Sequence, residues 1–303
     1  MTLDIADVAG HAVRFGRPGA VSFAANARAG TVVRLAAGCG ATAEIALLGG
    51  HVLSYATPAC GDVLWLSPVA RPDPGKALRG GIPVCWPWFA AHTTDPGRSA
   101  HGVARTAPWR VVATEGGAAS RVSLQLDEAA ARASGLPLQA RLEVTLGAVL
   151  TVALTTLNEG AQPVRLTSAL HTYFRVSDIA AIAIEGLAGR PFIDQLDAGS
   201  TKTEVASIRF AGELDRIYQD TPDRVAIVDA GLGRRILVDK SGSRSTVVWN
   251  PWAAKAERLG DLGPDGYRRM VCVETANAGA DVVELAPGAA HTLTATLAAE
   301  PLA

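Results

Sequence analysis

Cysteine and lysine are both scarce in this chain of 303 residues. The four cysteines, Cys39, Cys60, Cys85 and Cys272, lie far apart and form no C-x-x-C pair. That spacing argues against a zinc or redox motif and fits small apolar fillers in a reducing compartment. The only lysines are Lys76, Lys202, Lys240 and Lys255, so arginine carries most of the basic charge, and the formal net charge is −1. A balance this close to neutral excludes a global basic field for nucleic acid or anionic lipid, so any anion must be held by a local cluster. No stretch reaches the roughly 18 continuous apolar residues of a membrane span. The opening MTLDIADVAGHAVRF lacks the basic segment and apolar run of a secretory leader. The expectation is a soluble cytoplasmic protein with neither nucleic acid nor membrane as partner.

Other absences narrow the chemistry. H-E-x-x-H, the Walker loop, G-x-G-x-x-G and G-x-S-x-G do not occur in usable context. There is no internal repeat and no Ser- or Pro-rich linker, so residues 1–303 are expected to form one domain. A fold of this length buries roughly 75% of its unfolded surface and needs no metal or disulfide staple.

What is present is period-2 alternation. In ARLEVTLGAVLTVALTTLNEG, Leu142, Val144 and Leu146 alternate with Arg141, Glu143 and Thr145, and after Gly147 the pattern resumes at Val152 and Leu154. RVAIVDAGLGRRILVD repeats the design with a turn over 230–233. AEIAL, HVLSY, VLWLS, RVSLQL, VVWN, MVCVET and HTLTATL read as further strands, and helix is expected only in DEAAARASG and AAKAERLG. Many closely spaced strands with few helices predict an all-β antiparallel sandwich or barrel.

Three segments carry candidate chemistry. In TSALHTYFRV, read as one strand, Ala169, His171 and Tyr173 project to one side and Leu170, Thr172 and Phe174 to the other. His171 is then either a satisfied core imidazole or a proton carrier, and alternation leaves both readings open. In RRMVCVETAN, Met270, Cys272 and Glu274 share a face, so a carboxylate continues an apolar series and calls for a partner, a function or a strand end in water. In LRGGIPVCWPWFA, glycines and prolines preclude a regular helix and hold Trp86 and Trp88 on an irregular backbone, where flat apolar faces could take a sugar ring. Arg79 precedes those glycines and Arg105 follows in HGVARTAPW, so two guanidinium groups could fork onto a phosphate or simply sit in solvent. Asp215 in GELDRIY either pairs with Arg216 or accepts a substrate hydroxyl.

Taken in order, RGGIPVCWPWF, HGVAR, ALHTYF, ELDRIY, VVWNP and MVCVET resemble the hexose-6-phosphate mutarotases, or glucose-6-phosphate 1-epimerases, of the aldose 1-epimerase superfamily. The resemblance implies a large antiparallel supersandwich, in agreement with the alternation. It also implies His171 as general acid, Glu274 as general base, Arg79 and Arg105 as phosphate ligands, and Asp215 as a sugar contact. His101, Trp86 and Trp249 are further candidates to touch the sugar. Some members carry glutamine just before HG, where this chain has Ala100, so a polar contact from that position is lost. The reaction implied is ring opening and reclosure of a hexose 6-phosphate by a monomer, with no cofactor and no metal. The rivals are a mutarotase for unphosphorylated aldoses, which the two arginines argue against, and a non-catalytic carbohydrate-binding module, which would not need an acid facing a base. A glycosidase would use two carboxylates.

Overall fold

Alternation along the chain becomes antiparallel pairing in a computed structural model that describes residues 4–71, 75–221 and 224–302. The first three residues of the segment considered above as a leader lie outside the described residues. The strands Leu138–Leu146 and Leu150–Asn158 form the expected hairpin, with Leu146 opposite Leu150, Val144 opposite Val152 and Leu142 opposite Leu154. Arg224–Asp229 and Arg234–Ser241 form a second hairpin, turned by a short 3-10 segment and Gly233 at φ 59°. These four belong to one eight-stranded sheet with Ala183–Glu185, Ala290–Pro301, Ser120–Leu126 and Trp109–Glu115.

A second eight-stranded sheet runs, in spatial order, through Ser200–Thr203, Pro191–Asp194, Leu214–Gln219, Ser245–Asn250, Met270–Asn277, Ser168–Leu170 and Val84–Cys85; its eighth strand, Tyr173–Arg175, also pairs with Met270–Asn277. A five-stranded sheet occupies the N-terminal part, from Val21–Asn26 to Gly61–Asp62. One continuous cluster of buried side chains runs from Phe15 to Leu297 and draws on all three sheets. The second sheet contributes Leu170, Phe174, Leu214, Tyr218, Val248, Val271 and Val273 to it. Each such fully buried side chain contributes about 1.5–3 kcal/mol relative to exposure. The alternate residues of the same strands face away from this core, and they make the site.

Three expectations need correction. VLWLS is not a strand: Leu64 and Leu66 make only isolated bridges, to Phe174 and Gly80. TSALHTYFRV is not one strand but two short ones, interrupted at His171 and Thr172. An unexpected helix, Val8–Phe15, is capped by the Asp7 side chain and buries His11 and Phe15; at eight residues it is too short to print a clear 3.6-residue period. The two expected helices are present as Glu128–Ala133 and Trp252–Leu259. Among the described residues no helix is long and apolar enough to cross a membrane.

Candidate active site

The outward face of the second sheet is ordered in rows by strand register. Asp215 stands opposite Trp249, Trp249 opposite Cys272, and Cys272 opposite Tyr173, so four adjacent strands place these side chains side by side. In the next row Ile217 faces Val247 and Val247 faces Glu274. The pairs Leu170 with Thr275 and Tyr173 with Cys272 bracket the interruption with equal numbers of residues on each side, which sets His171 opposite Glu274. No residue is inserted. The ladder breaks because Thr172 N–H turns back onto the Leu170 carbonyl at 2.9 Å instead of crossing to the neighbouring strand. The His171 and Tyr173 amides are taken up by the carbonyls of Pro83 and Gly81, at 3.1 and 2.9 Å.

The imidazole and the carboxyl therefore meet as a cross-strand pair, His171 Nδ1 lying 3.3 Å from Glu274 Oε1. The two atoms are close but misaligned, and both His171 Nδ1 and Glu274 Oε2 are buried without a hydrogen bond. The Glu274 side chain is 1% exposed and that of His171 12%. Burial, followed by the nearby Asp215 charge, holds the Glu274 carboxyl well above the usual carboxylate range. Burial also pushes His171 well below its ordinary value, backed by the neighbouring His101 ring and by the positive charges of Arg79 and Arg105. A neutral imidazole beside a protonated carboxyl contains the same number of protons as an imidazolium beside a carboxylate. The two forms differ by one proton crossing one short gap.

Aromatic walls fix the imidazole. Tyr173 stacks on it with centroids 4.8 Å apart and planes 7° from parallel, while Trp249 and His101 meet it edge-on at 6.1 and 5.7 Å. His101 Nδ1 accepts from the Ala90 amide at 3.2 Å, and burial, ahead of Arg105 and Arg79, lowers its pKa to about 4. The neutral ring then carries its proton on Nε2. His101 holds φ 65°, and Gly102 beside it holds φ 77°, where a Cβ would stand 1.9 Å from the Trp86 carbonyl oxygen. Gly102→Ala should lose more than about 1 kcal/mol of stability and displace His101, seen as a lowered melting temperature by circular dichroism.

Arg79 is fixed from two sides. Its Nε is 3.1 Å from both Asp261 oxygens, its Nη2 is 3.0 Å from Asp261 Oδ2, and its Nη1 donates to the Tyr173 hydroxyl at 3.0 Å. Arg105 Nη2 donates to the Ala100 carbonyl at 2.9 Å. Its charge reaches His51, His101 and His171. Asp215 lies 3.8 Å from Lys255, which is bonded to Glu213 at 2.7 Å; burial is the main cause raising the Asp215 pKa to about 6. The expected alternative of an Asp215–Arg216 pair is not made, because Arg216 points to the other face and binds Glu204 over the Phe192 ring.

Among the candidates to touch a sugar, Trp249 and His101 border the pair and Trp86 does not. Val84 and Trp86 both point into the core while Cys85 points outward, so the alternation of a strand governs this segment. The Trp86 indole is fully buried and donates to Thr156 on the opposite sheet at 2.9 Å. Trp88 is engaged elsewhere, donating to the Ser99 carbonyl beneath Arg98. Sequence reasoning assigned no role to Tyr173, Lys255 or Asp261. Tyr173 was legible as the next outward residue after His171. Asp261, 182 positions from Arg79, left no local signal.

An imidazole facing a buried carboxyl on the outward face of a large antiparallel sandwich, walled by aromatics and with two arginines nearby, is an arrangement able to exchange protons with a polar ligand. A family model described as Aldose 1-epimerase matches residues 31–298. The chain belongs to the aldose 1-epimerase family and is accordingly an isomerase. It is 36% identical over 258 residues to a proposed glucose-6-phosphate 1-epimerase from Cenchrus ciliaris, covering 81% of this chain and 77% of that one. The corresponding protein of Escherichia coli K12 is 36% identical over 240 residues, with coverage of 78% and 80%. The crystal structure of a proposed mutarotase from Salmonella typhimurium superposes with a TM-score of 0.84 at 29% identity, over 93% of this chain and 94% of that one.

Proposed function

We propose that this protein interconverts the α and β anomers of a hexose 6-phosphate. The observation that carries the reading is the His171–Glu274 pair, set opposite in register with 3.3 Å between the facing atoms. The Glu274 carboxylate takes the proton of the sugar O1 hydroxyl, the C1–O5 bond breaks, and O5 takes the proton of the His171 imidazolium. C1, now an aldehyde carbon, rotates about C1–C2, and the same two transfers run backwards to close the ring on its other face. No electron is gained or lost and no group leaves, so proton transfer alone completes the reaction and this reading asks for no resident metal or cofactor.

The charged form of the pair is the one this direction of transfer uses, whereas burial favours the neutral form. A phosphate dianion seated on Arg79 and Arg105 offsets the positive field that disfavours the imidazolium, and so helps move the shared proton from Glu274 to His171. Trp249 supplies an apolar face for the ring, while His101 Nε2–H and Asp215 serve its hydroxyls. One domain over residues 1–303, a cytoplasmic location and a monomeric state complete the proposal; the core cluster shared by the three sheets and the near-zero net charge are in keeping with it.

The test is to dissolve pure α-glucose 6-phosphate and follow exchange with the β anomer by NMR. The protein should accelerate exchange well beyond buffer, and an unchanged rate would overturn the reading. Arg79→Ala and Arg105→Ala should each raise KM for the phosphorylated sugar about 10- to 100-fold, the worth of a charge-assisted hydrogen bond of about 1.5–3 kcal/mol. Both should act on free glucose much as the parent does, which steady-state comparison of the two sugars will read.

A further inference from the structure

Cys272 has no part in the acid–base chemistry, yet it sits in the row beside the pair. Its sulfur, a His171 ring nitrogen and a Glu274 carboxylate oxygen all lie within 4.8 Å of one another. Cys272 is a free thiol, fully buried, between Trp249 and Tyr173 on the outward face. Two atoms of this group, His171 Nδ1 and Glu274 Oε2, are buried polar atoms with no hydrogen-bond partner. One sulfur, one imidazole and one carboxylate make the mixed donor set that zinc accepts, with the fourth position left to water. Bonds of about 2.0–2.3 Å place neighbouring ligand atoms of tetrahedral zinc roughly 3.5 Å apart, and here the three donor atoms lie within 4.8 Å of one another, with His171 Nδ1 and Glu274 Oε1 at 3.3 Å. The wide linear spacing of the four cysteines gave no hint of this group, because only one of them takes part.

We propose that His171, Cys272 and Glu274 form a thiophilic divalent-cation site, and that zinc bound there switches the enzyme off by occupying its acid and base together. Binding expels the thiol proton and the proton shared by the pair to solvent, and the cation then supplies the positive charge that makes a buried thiolate and carboxylate tolerable. The inhibitory half of the proposal rests on the function proposed above; the binding half does not.

The full-length protein is stripped with a chelator, dialysed, and titrated with Co²⁺ for absorption and with Zn²⁺ for anomer exchange. Co²⁺ should produce a sulfur-to-cobalt charge-transfer band that is absent in Cys272→Ala. Zn²⁺ should abolish exchange by the parent. Cys272→Ala and Cys272→Ser should keep the parent's basal rate and need at least about tenfold more Zn²⁺ for the same loss, since even an outer-sphere change costs 10–100-fold in affinity. Equal bands in the parent and Cys272→Ala, or equal zinc sensitivity, would overturn the proposal. Should both variants fail to fold, zinc-edge anomalous scattering from crystals of the parent decides: a peak within bonding distance of Cys272 Sγ supports the site, and its absence refutes it. A cobalt band without any anomer exchange leaves the cation site standing and removes the proposed function, whereas exchange without the band does the reverse.

Discussion

Glu274→Gln should slow anomer exchange by roughly 10²–10⁴-fold while leaving the protein folded. Glutamine matches the carboxyl in shape and carries no charge, and burial already disfavours the charged form of this side chain. The substitution therefore imposes no new charge or volume on a position that is 1% exposed. The melting temperature should stay at or above that of the parent, because no carboxylate then has to be stripped of water. What is lost is the ability to take the O1 proton. NMR exchange rates and a thermal melt on the same preparation separate the two effects; a folded variant with undiminished exchange would show that Glu274 is not the base.

His171→Gln should produce a loss of similar size, and the double variant His171→Gln/Glu274→Gln should be barely slower than either single one. Both residues serve one paired transfer of protons, and groups that act as a unit are strongly non-additive. Multiplying losses would mean instead that each residue contributes separately, for instance by binding alone. The stack on Tyr173 and the edge contact with Trp249 leave a planar amide well supported, so a change in fold is not expected to confuse the comparison.

Alternation made the outward direction of His171 legible, because the two faces of its segment differ chemically; for Glu274 it showed only that the carboxyl shares a face with Met270 and Cys272, since both faces of that segment are largely apolar. It also holds over Val84–Trp86, and it is the reason Trp86 belongs to the core; the prolines and glycines around that segment masked the short strand inside it. The interruption at Thr172 was not readable, since it depends on a backbone amide choosing Leu170 over the next strand. The support of Arg79 by Asp261 and the link from Lys255 to Asp215 were equally silent. Such contacts join segments by chain geometry at long range, and neither periodicity nor motif spacing encodes them. VLWLS shows the opposite failure: its pattern is that of a strand, but the backbone at Leu64 and Leu66 finds only isolated bridges.

The unbroken register across the gap between Leu170 and Tyr173 works as a ruler for the whole centre. Acid and base are spaced by the pitch of two neighbouring strands, so either side chain can be exchanged for another without disturbing where its partner points. Length is a different matter. A single residue added or removed between Ser168 and Arg175, or between Met270 and Asn277, would turn one member of the pair toward the sandwich interior and bring a core side chain out in its place. A substitution in these two segments therefore changes chemistry at one point, whereas an insertion or deletion dismantles the pairing itself.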